Sequence, residues 1–208
     1  YSHLASLEVF PQAEMKSCAT FEKAFQLASE NPEYKIIIPI ENSLAGRVAD
    51  IHRLIPKYKL QIHSEHFQKV NHNLLGIKGS KVEEIKTVRS HAQAIGQCQK
   101  LISHYNLQPI IAADTAGSAK FISMKKDKTE SAIASDLAAK IYNLKILKSN
   151  IEDEEGNVTR FFIMGKKTKH PELKDKEYIT SCIFKLKSIP AALYKALGGF
   201  ATNGVNLC

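Results

Sequence analysis

The sequence predicts an α/β fold with a largely parallel sheet, because short apolar runs of strand length alternate with segments of helical spacing. A polar cluster follows each of the clearer runs and opens the next helical segment, giving a strand–cap–helix rhythm. The 208 residues are 44% hydrophobic and 24% charged, which excludes a disordered or fibrous chain. That length supports one large domain, or one with a small second.

Residues 35–40 read as the first buried strand, followed by Glu41, Asn42 and Ser43 and then by a helix with Val48, Ile51, Leu54 and Ile55 on one face. The segment holding His63 and His66 also reads as strand. Residues 87–89 form the next strand, followed by Ser90 and His91 and one helix aligning Ile95, Cys98, Ile102 and Tyr105. Gln97 lies two helical turns beyond Ser90, so that spacing puts both on one side. Residues 110–113 precede Asp114-Thr115-Ala116-Gly117 and a helix through Phe121. Residues 131–135 and 137–142 repeat the rhythm more weakly.

The clusters at 41–43, 90–91 and 114–117 thus fall at carboxyl ends of strands, where α/β sheets bind ligands. They also fall at helix starts, where unpaired N–H groups and the macrodipole favour anions. Three such clusters predict a cleft for a small acid with more than one carboxylate. Ser43, Ser90 and Asp114 serve equally as N-caps, and capping does not exclude binding.

The 29 Lys and Arg against 21 Asp and Glu leave +8, but the distribution does not describe a nucleic-acid binder. Residues 1–72 carry 8 basic and 8 acidic groups, and residues 73–156 carry 12 and 10. Residues 163–187 carry 7 Lys against 3 acids and interleave no aromatic platform with them, so they read as a solvated linker. No run reaches the length of a membrane helix, and the first residues lack a signal-peptide pattern. The missing initiator Met predicts a longer natural sequence. Cys18, Cys98, Cys182 and Cys208 lie far apart without metal spacing, as expected of reduced thiols in a cytoplasmic protein. His63 and His66 would point to opposite faces of a strand, and no acidic or Cys cluster joins them or His72, so no metal site is expected.

Five motifs appear in order: Tyr1-Ser2-His3; Pro39-Ile40-Glu41-Asn42-Ser43 with Ala45-Gly46-Arg47-Val48; Ser90-His91 with Gln97-Cys98; Asp114-Thr115-Ala116-Gly117; and Asn157-Val158-Thr159-Arg160-Phe161. Together they resemble the prephenate dehydratase family over residues 1–165. The resemblance implies a cofactor-free lyase that converts prephenate to phenylpyruvate with loss of water and carbon dioxide, in phenylalanine biosynthesis. Arogenate dehydratases share every motif quoted. A non-enzymatic small-acid-binding module of the same architecture is a further alternative.

The implied architecture is two α/β lobes resembling periplasmic binding proteins, with the site in the cleft between them. Lobe one would take about 1–72 plus 157–165, and lobe two about 73–156. By the same matching, Thr159 assists the departing hydroxyl. Arg160 is a candidate carboxylate clamp, and Glu41, Asn42, Ser43, Ser90, Gln97 and Thr115 are candidate substrate contacts. Residues 166–177 form the Lys-rich linker, and residues 178–208 resemble the opening of an α+β ACT regulatory domain. Its alternating strand at 178–187 would be followed by a helix begun by Pro190, with Leu193, Leu197 and Phe200 aligned. That resemblance implies a homo-dimer or tetramer inhibited by L-phenylalanine, with Ala192, Leu193 and Asn206 at the effector site. Ala191 stands where the family usually has Gly.

Overall fold

A computed structural model describes residues 1–166 and 179–207. The chain divides into two compact units, Tyr1–Lys169 and His170–Cys208. In chain order the elements are α1 (Ser2–Val9), α2 (Phe21–Glu30), β1 (Lys35–Asn42), β2 (Gly46–Arg47), α3 (Ala49–Tyr58), β3 (Gln61–Lys69), β4 (Asn73–Gly76) and β5 (Thr87–His91). They continue with α4 (Ala92–Gly96), α5 (Gln99–His104), β6 (Gln108–Ala112), α6 (Thr115–Lys125), β7 (Glu130–Ala134), α7 (Asp136–Ile141), β8 (Lys145–Lys148), β9 (Val158–Gly165) and α8 (Ala192–Thr202).

The first unit is α/β and holds two sheets, ordered β2-β1-β9-β3 and β6-β5-β7-β4-β8. Among the described residues only β5 with β6 and β5 with β7 pair parallel; the other pairings are antiparallel, so the expected largely parallel sheet is corrected. Local patterning fixes that a segment is a strand, whereas direction depends on a partner distant in sequence. The chain enters the second sheet after β3 and returns at Asn157, where Val70 N–H donates to the Asn157 carbonyl at 2.8 Å. Both crossings therefore run side by side.

Burial explains the placements. On β1 the alternate residues Ile36, Ile38 and Ile40 pack on Phe25 and Ala28 of α2, Ile51 and Leu54 of α3, and Phe162 and Met164 of β9. In the second sheet Leu74, Val88 and Ile133 pack on Ile95, Cys98 and Ile102.

Two expected helix starts are corrected. Glu41 and Asn42 end β1, and Ser43 lies in the tight turn to β2 rather than at the start of α3. Asn42 Oδ1 accepts from Leu44 N–H and Ala45 N–H, and Gly46 supplies the positive φ of +77° that closes this turn. Ser90 is an interior residue of β5, and the cap of α4 is His91, whose Nδ1 accepts from Gln93 N–H. The single helix expected beyond residue 91 is broken into α4 and α5 at Gln97 and Cys98, so the two-turn relation between Ser90 and Gln97 does not exist. Asp114 caps α6 as expected, and its carboxylate fills the space a side chain at Gly117 would need.

In the second unit, residues 179–187 form no strand, because no described segment pairs with them. Tyr178 and residues 167–177 of the expected linker lie outside the described residues. The helix α8 begins at Ala192, two residues after Pro190, with Ala191 as its N-cap at φ 60° and ψ 19°. Leu193 and Leu197 are exposed along it. Among the described residues no helix is long and apolar enough to cross a membrane.

Candidate active site

Asn42 on β1 and Thr159 on β9 are register partners and share one face of the first sheet. Because backbone N–H groups can only donate, the atom that Asn42 turns toward Leu44 and Ala45 is its oxygen. Its Nδ2 therefore points the other way, donating to Asn157 Oδ1 at 2.6 Å, Thr159 Oγ1 at 3.0 Å and the Val158 carbonyl at 3.2 Å. Thr159 Oγ1 is thereby an acceptor, and among the described residues its hydrogen has no acceptor of its own. Ser43 closes the turn, its Oγ donating to the Gly156 carbonyl and accepting from Val158 N–H, both at 3.0 Å.

The amides continue into the second sheet's side of the molecule. Asn157, 2% exposed, donates through Nδ2 to Gln97 Oε1 at 2.8 Å. His72 Nε2 meets the same oxygen at 2.9 Å, and its Nδ1 lies 3.1 Å from the Tyr1 hydroxyl, which is 2.5 Å from the Asn71 carbonyl. Burial is the main force holding the His72 imidazole below its ordinary 6.5, so it is neutral near pH 7. Burial also raises the Tyr1 phenol, which keeps its proton.

Gln97 is held by the acidic segment leading to β9. Asp153 N–H donates to the Gln97 carbonyl at 2.7 Å, and the Asp153 carboxylate accepts from Gln99 N–H at 2.7 Å and Lys100 N–H at 3.0 Å. A residue remote in sequence thus caps α5, which has no capping side chain of its own. A cavity of about 360 Å³, within the usual range for a small-ligand site, is lined by Leu44, Ala45, Gln93, Gly96, Gln97, Asp153 and Glu154.

Neighbouring strand residues face opposite ways, so Arg160 and Glu41 lie on the other face of the first sheet from Thr159 and Asn42. Arg160, expected as a substrate clamp, already donates to Glu41 Oε1 at 2.9 Å and to Glu65 Oε2 at 2.7 Å, and its guanidinium lies 5.2 Å from the Phe162 ring centre. Glu41 and Glu65 hold its charged form. The fork is closed by protein carboxylates, and the cluster is net negative.

Ser90 is fully buried, with its hydroxyl donating to the Ile133 carbonyl at 2.7 Å, so it supports the strand that positions His91. Thr115 opens α6 beyond β6 and does not enter the amide chain. Ala192, Leu193 and Asn206 belong to the second unit, on α8 and just after it, with Leu193 and Asn206 exposed. Among the described residues no three His, Cys, Asp or Glu side chains gather as a metal set. Burial raises the Cys98 thiol, leaving it unreactive.

Sequence reasoning missed Asn157, His72, Asp153 and Glu65. Asn157 was visible in its motif, two residues from Thr159. Nothing local marks the other three, whose roles arise from contacts across the fold.

Two sheets joined by paired crossings carry an amide chain that runs from Asn42, beside Thr159, to Gln97 in the wall of a small cavity. The protein belongs to the prephenate dehydratase family, which it matches over residues 1–169. It is 39% identical over 207 residues to a bifunctional N-acyl-homoserine lactone acylase/prephenate dehydratase of Komagataeibacter europaeus, covering 100% of this chain and 74% of that protein. It is 42% identical to the chloroplastic arogenate dehydratase/prephenate dehydratase 1 of Arabidopsis thaliana, covering 100% of this chain and 53% of the relative. The chain thus spans about half the length of that plant relative. The fold is shared with a prephenate dehydratase of Arthrobacter aurescens solved in complex with L-Phe, with a TM-score of 0.85 at 24% identity, covering 100% of this chain and 70% of that one.

Proposed function

We propose that residues 1–165 form a catalytic domain that converts prephenate to phenylpyruvate, water and carbon dioxide. Prephenate is a dicarboxylate whose ring becomes aromatic as its carboxylate leaves as carbon dioxide. The electron pair of the broken carbon–carbon bond moves through the ring and expels the hydroxyl, which departs as water on taking a proton. Aromatisation drives the step, so the protein's task is to orient the substrate and assist that oxygen.

The observation that carries this reading is the Asn42 amide donating to Thr159 Oγ1, which leaves the threonine hydrogen free to point at the leaving hydroxyl. A threonine hydroxyl is too weak an acid to ionise here, so it acts as a positioned donor, with the proton supplied ultimately by solvent. Gln97 Nε2, free of the amide chain, is a second donor at the cavity wall. We assign Arg160 to holding Glu41 and Glu65 in place. Ser43 and Ser90 support the turn and strand, and Thr115 is a carboxylate contact at the start of α6.

Residues 178–208 are read as the opening of an ACT domain, with Ala192, Leu193 and Asn206 toward L-phenylalanine, in a dimeric or tetrameric cytoplasmic protein. The resemblance of residues 190–207 supports that reading. Incubation with prephenate and with arogenate, scoring phenylpyruvate and phenylalanine separately, tests the activity. Phenylpyruvate from prephenate is expected at the higher kcat/KM. No product from either substrate overturns the enzymatic reading.

A further inference from the structure

We propose that Asn157 is a positioning residue that relays the hydrogen-bond direction fixed at Asn42 onward to Gln97 and His72, and so keeps Gln97 as a donor toward the substrate. The catalytic part of this inference rests on the function proposed above.

Each link of the series pairs one donor with one acceptor. Leu44 N–H and Ala45 N–H fix the Asn42 oxygen, so Asn42 Nδ2 must donate outward. The Asn157 atom facing it at 2.6 Å is then Oδ1. Asn157 therefore turns Nδ2 toward Gln97, and the atom it meets at 2.8 Å is Oε1. That oxygen also faces His72 Nε2 at 2.9 Å, which has to carry the hydrogen. Carried from the Asn42 end, the series puts the His72 hydrogen on Nε2 and leaves Nδ1 to accept from the Tyr1 hydroxyl at 3.1 Å, whose hydrogen the Asn71 carbonyl at 2.5 Å also draws. Gln97 Nε2, with no partner inside the chain, is left as a donor in the cavity wall.

Asn157 is the joint in this series. It is 2% exposed, it links a residue of β1 to a residue between α4 and α5, and it accepts on one side while donating on the other. No other uncharged side chain of its length does both from one planar group. An ionised aspartate at 157 would have the same shape but could only accept. Gln97 would then have to turn its amide, giving Nε2 to position 157 and Oε1 to the cavity. His72 Nε2–H would lose its acceptor, and the hydrogen would move to Nδ1, facing Tyr1.

The test is Asn157→Asp in the full chain, read by steady-state kinetics and by the ring-nitrogen signals of His72 in long-range 1H–15N spectra at pH 7.5. The parent chain is expected to show His72 protonated on Nε2 alone. The Asp variant is expected to lose that state and to drop in kcat by at least about thirtyfold, with KM changed less than kcat, consistent with a misdirected donor. Gln97→Glu is the companion. It keeps an acceptor toward Asn157 and His72, so it should lose turnover while His72 keeps a hydrogen on Nε2, the new carboxylate favouring the imidazolium, which mere destabilisation would not reproduce. A parent His72 protonated on Nδ1 alone, or an Asp variant with the parent imidazole signals and kcat within about threefold, overturns the proposal. The imidazole readout needs no turnover, so a parent inactive on both substrates removes the proposed function while the signals still judge the chain.

Discussion

Asn42 and Thr159 stand opposite each other in the β1–β9 register, and the Asn42 amide donates to the Thr159 oxygen over 3.0 Å. One end of that amide is anchored by two backbone N–H groups, so its direction cannot reverse without breaking the turn at residues 42–46. Asn42→Asp removes the donor and offers Thr159 an acceptor inside the protein. The hydroxyl hydrogen would turn inward, away from substrate. Turnover is expected to fall by at least about tenfold, with the far-ultraviolet circular dichroism unchanged, since losing one positioned donor typically costs more than that. Stopped assays of product formation measure it.

Arg160 bridges Glu41 and Glu65 from the opposite face of the sheet. A lysine ammonium cannot span two carboxylates with a planar fork. Arg160→Lys is expected to lower stability by about 1–2 kcal/mol, the range for charge-assisted hydrogen bonds that keep some solvent contact. Thermal and denaturant unfolding measure it, and a variant as stable as the parent would show that the bridge contributes nothing.

The buried His72 makes stability depend on pH. Its folded pKa lies below its ordinary 6.5, so the unfolded chain takes up the proton first as pH falls. Its contribution is complete above pH 6.5 and declines as pH drops from there toward the lowered folded value. His63 is shifted the same way by burial and Lys35, and adds to the slope. His72→Gln should flatten the fall in unfolding free energy below pH 6.5 by up to about one proton's worth. An unchanged slope would mean that His72 is not protonated on unfolding in that window.

Ala191 sits at φ 60°, in the left-handed region that costs a side chain about 1 kcal/mol and costs glycine nothing. Ala191→Gly is expected to raise the stability of the segment holding α8 by up to about 0.5 kcal/mol, after glycine's greater freedom in the unfolded chain is set against it. Hydrogen exchange of the α8 amides reads this locally. Faster exchange in the Gly variant would contradict it.

What was legible in the sequence was mostly local. The strand at residues 35–40, the helical face of Ile51 and Leu54, and the Asp114 cap all follow from local pattern, and all are present. The break at Gln97 was not legible, because the Asp153 carboxylate that caps α5 comes from 54 residues away. Strand direction was hidden for the same reason. The alternation at residues 179–187 shows the converse: a strand pattern yields no strand where, among the described residues, no second strand pairs with it. Thr159, Asn42 and Gln97 were identified through motif resemblance, and the fold does bring them into one hydrogen-bonded series. The Thr-Arg-Phe motif makes Arg160 the sequence neighbour of Thr159, and a strand turns such neighbours to opposite faces, which local sequence does not resolve into contacts.

The most direct measurement of the central claim is the turnover of prephenate by Thr159→Ala, with Thr159→Ser beside it. The alanine variant removes the hydroxyl and keeps the Asn42 amide, whose remaining acceptors are Asn157 and the Val158 carbonyl. The account predicts an unchanged fold, a fall in kcat of at least about a hundredfold for alanine, and partial activity for serine, the scale expected of a positioned donor at the leaving oxygen. An alanine variant that turns over prephenate at the parent rate would contradict it.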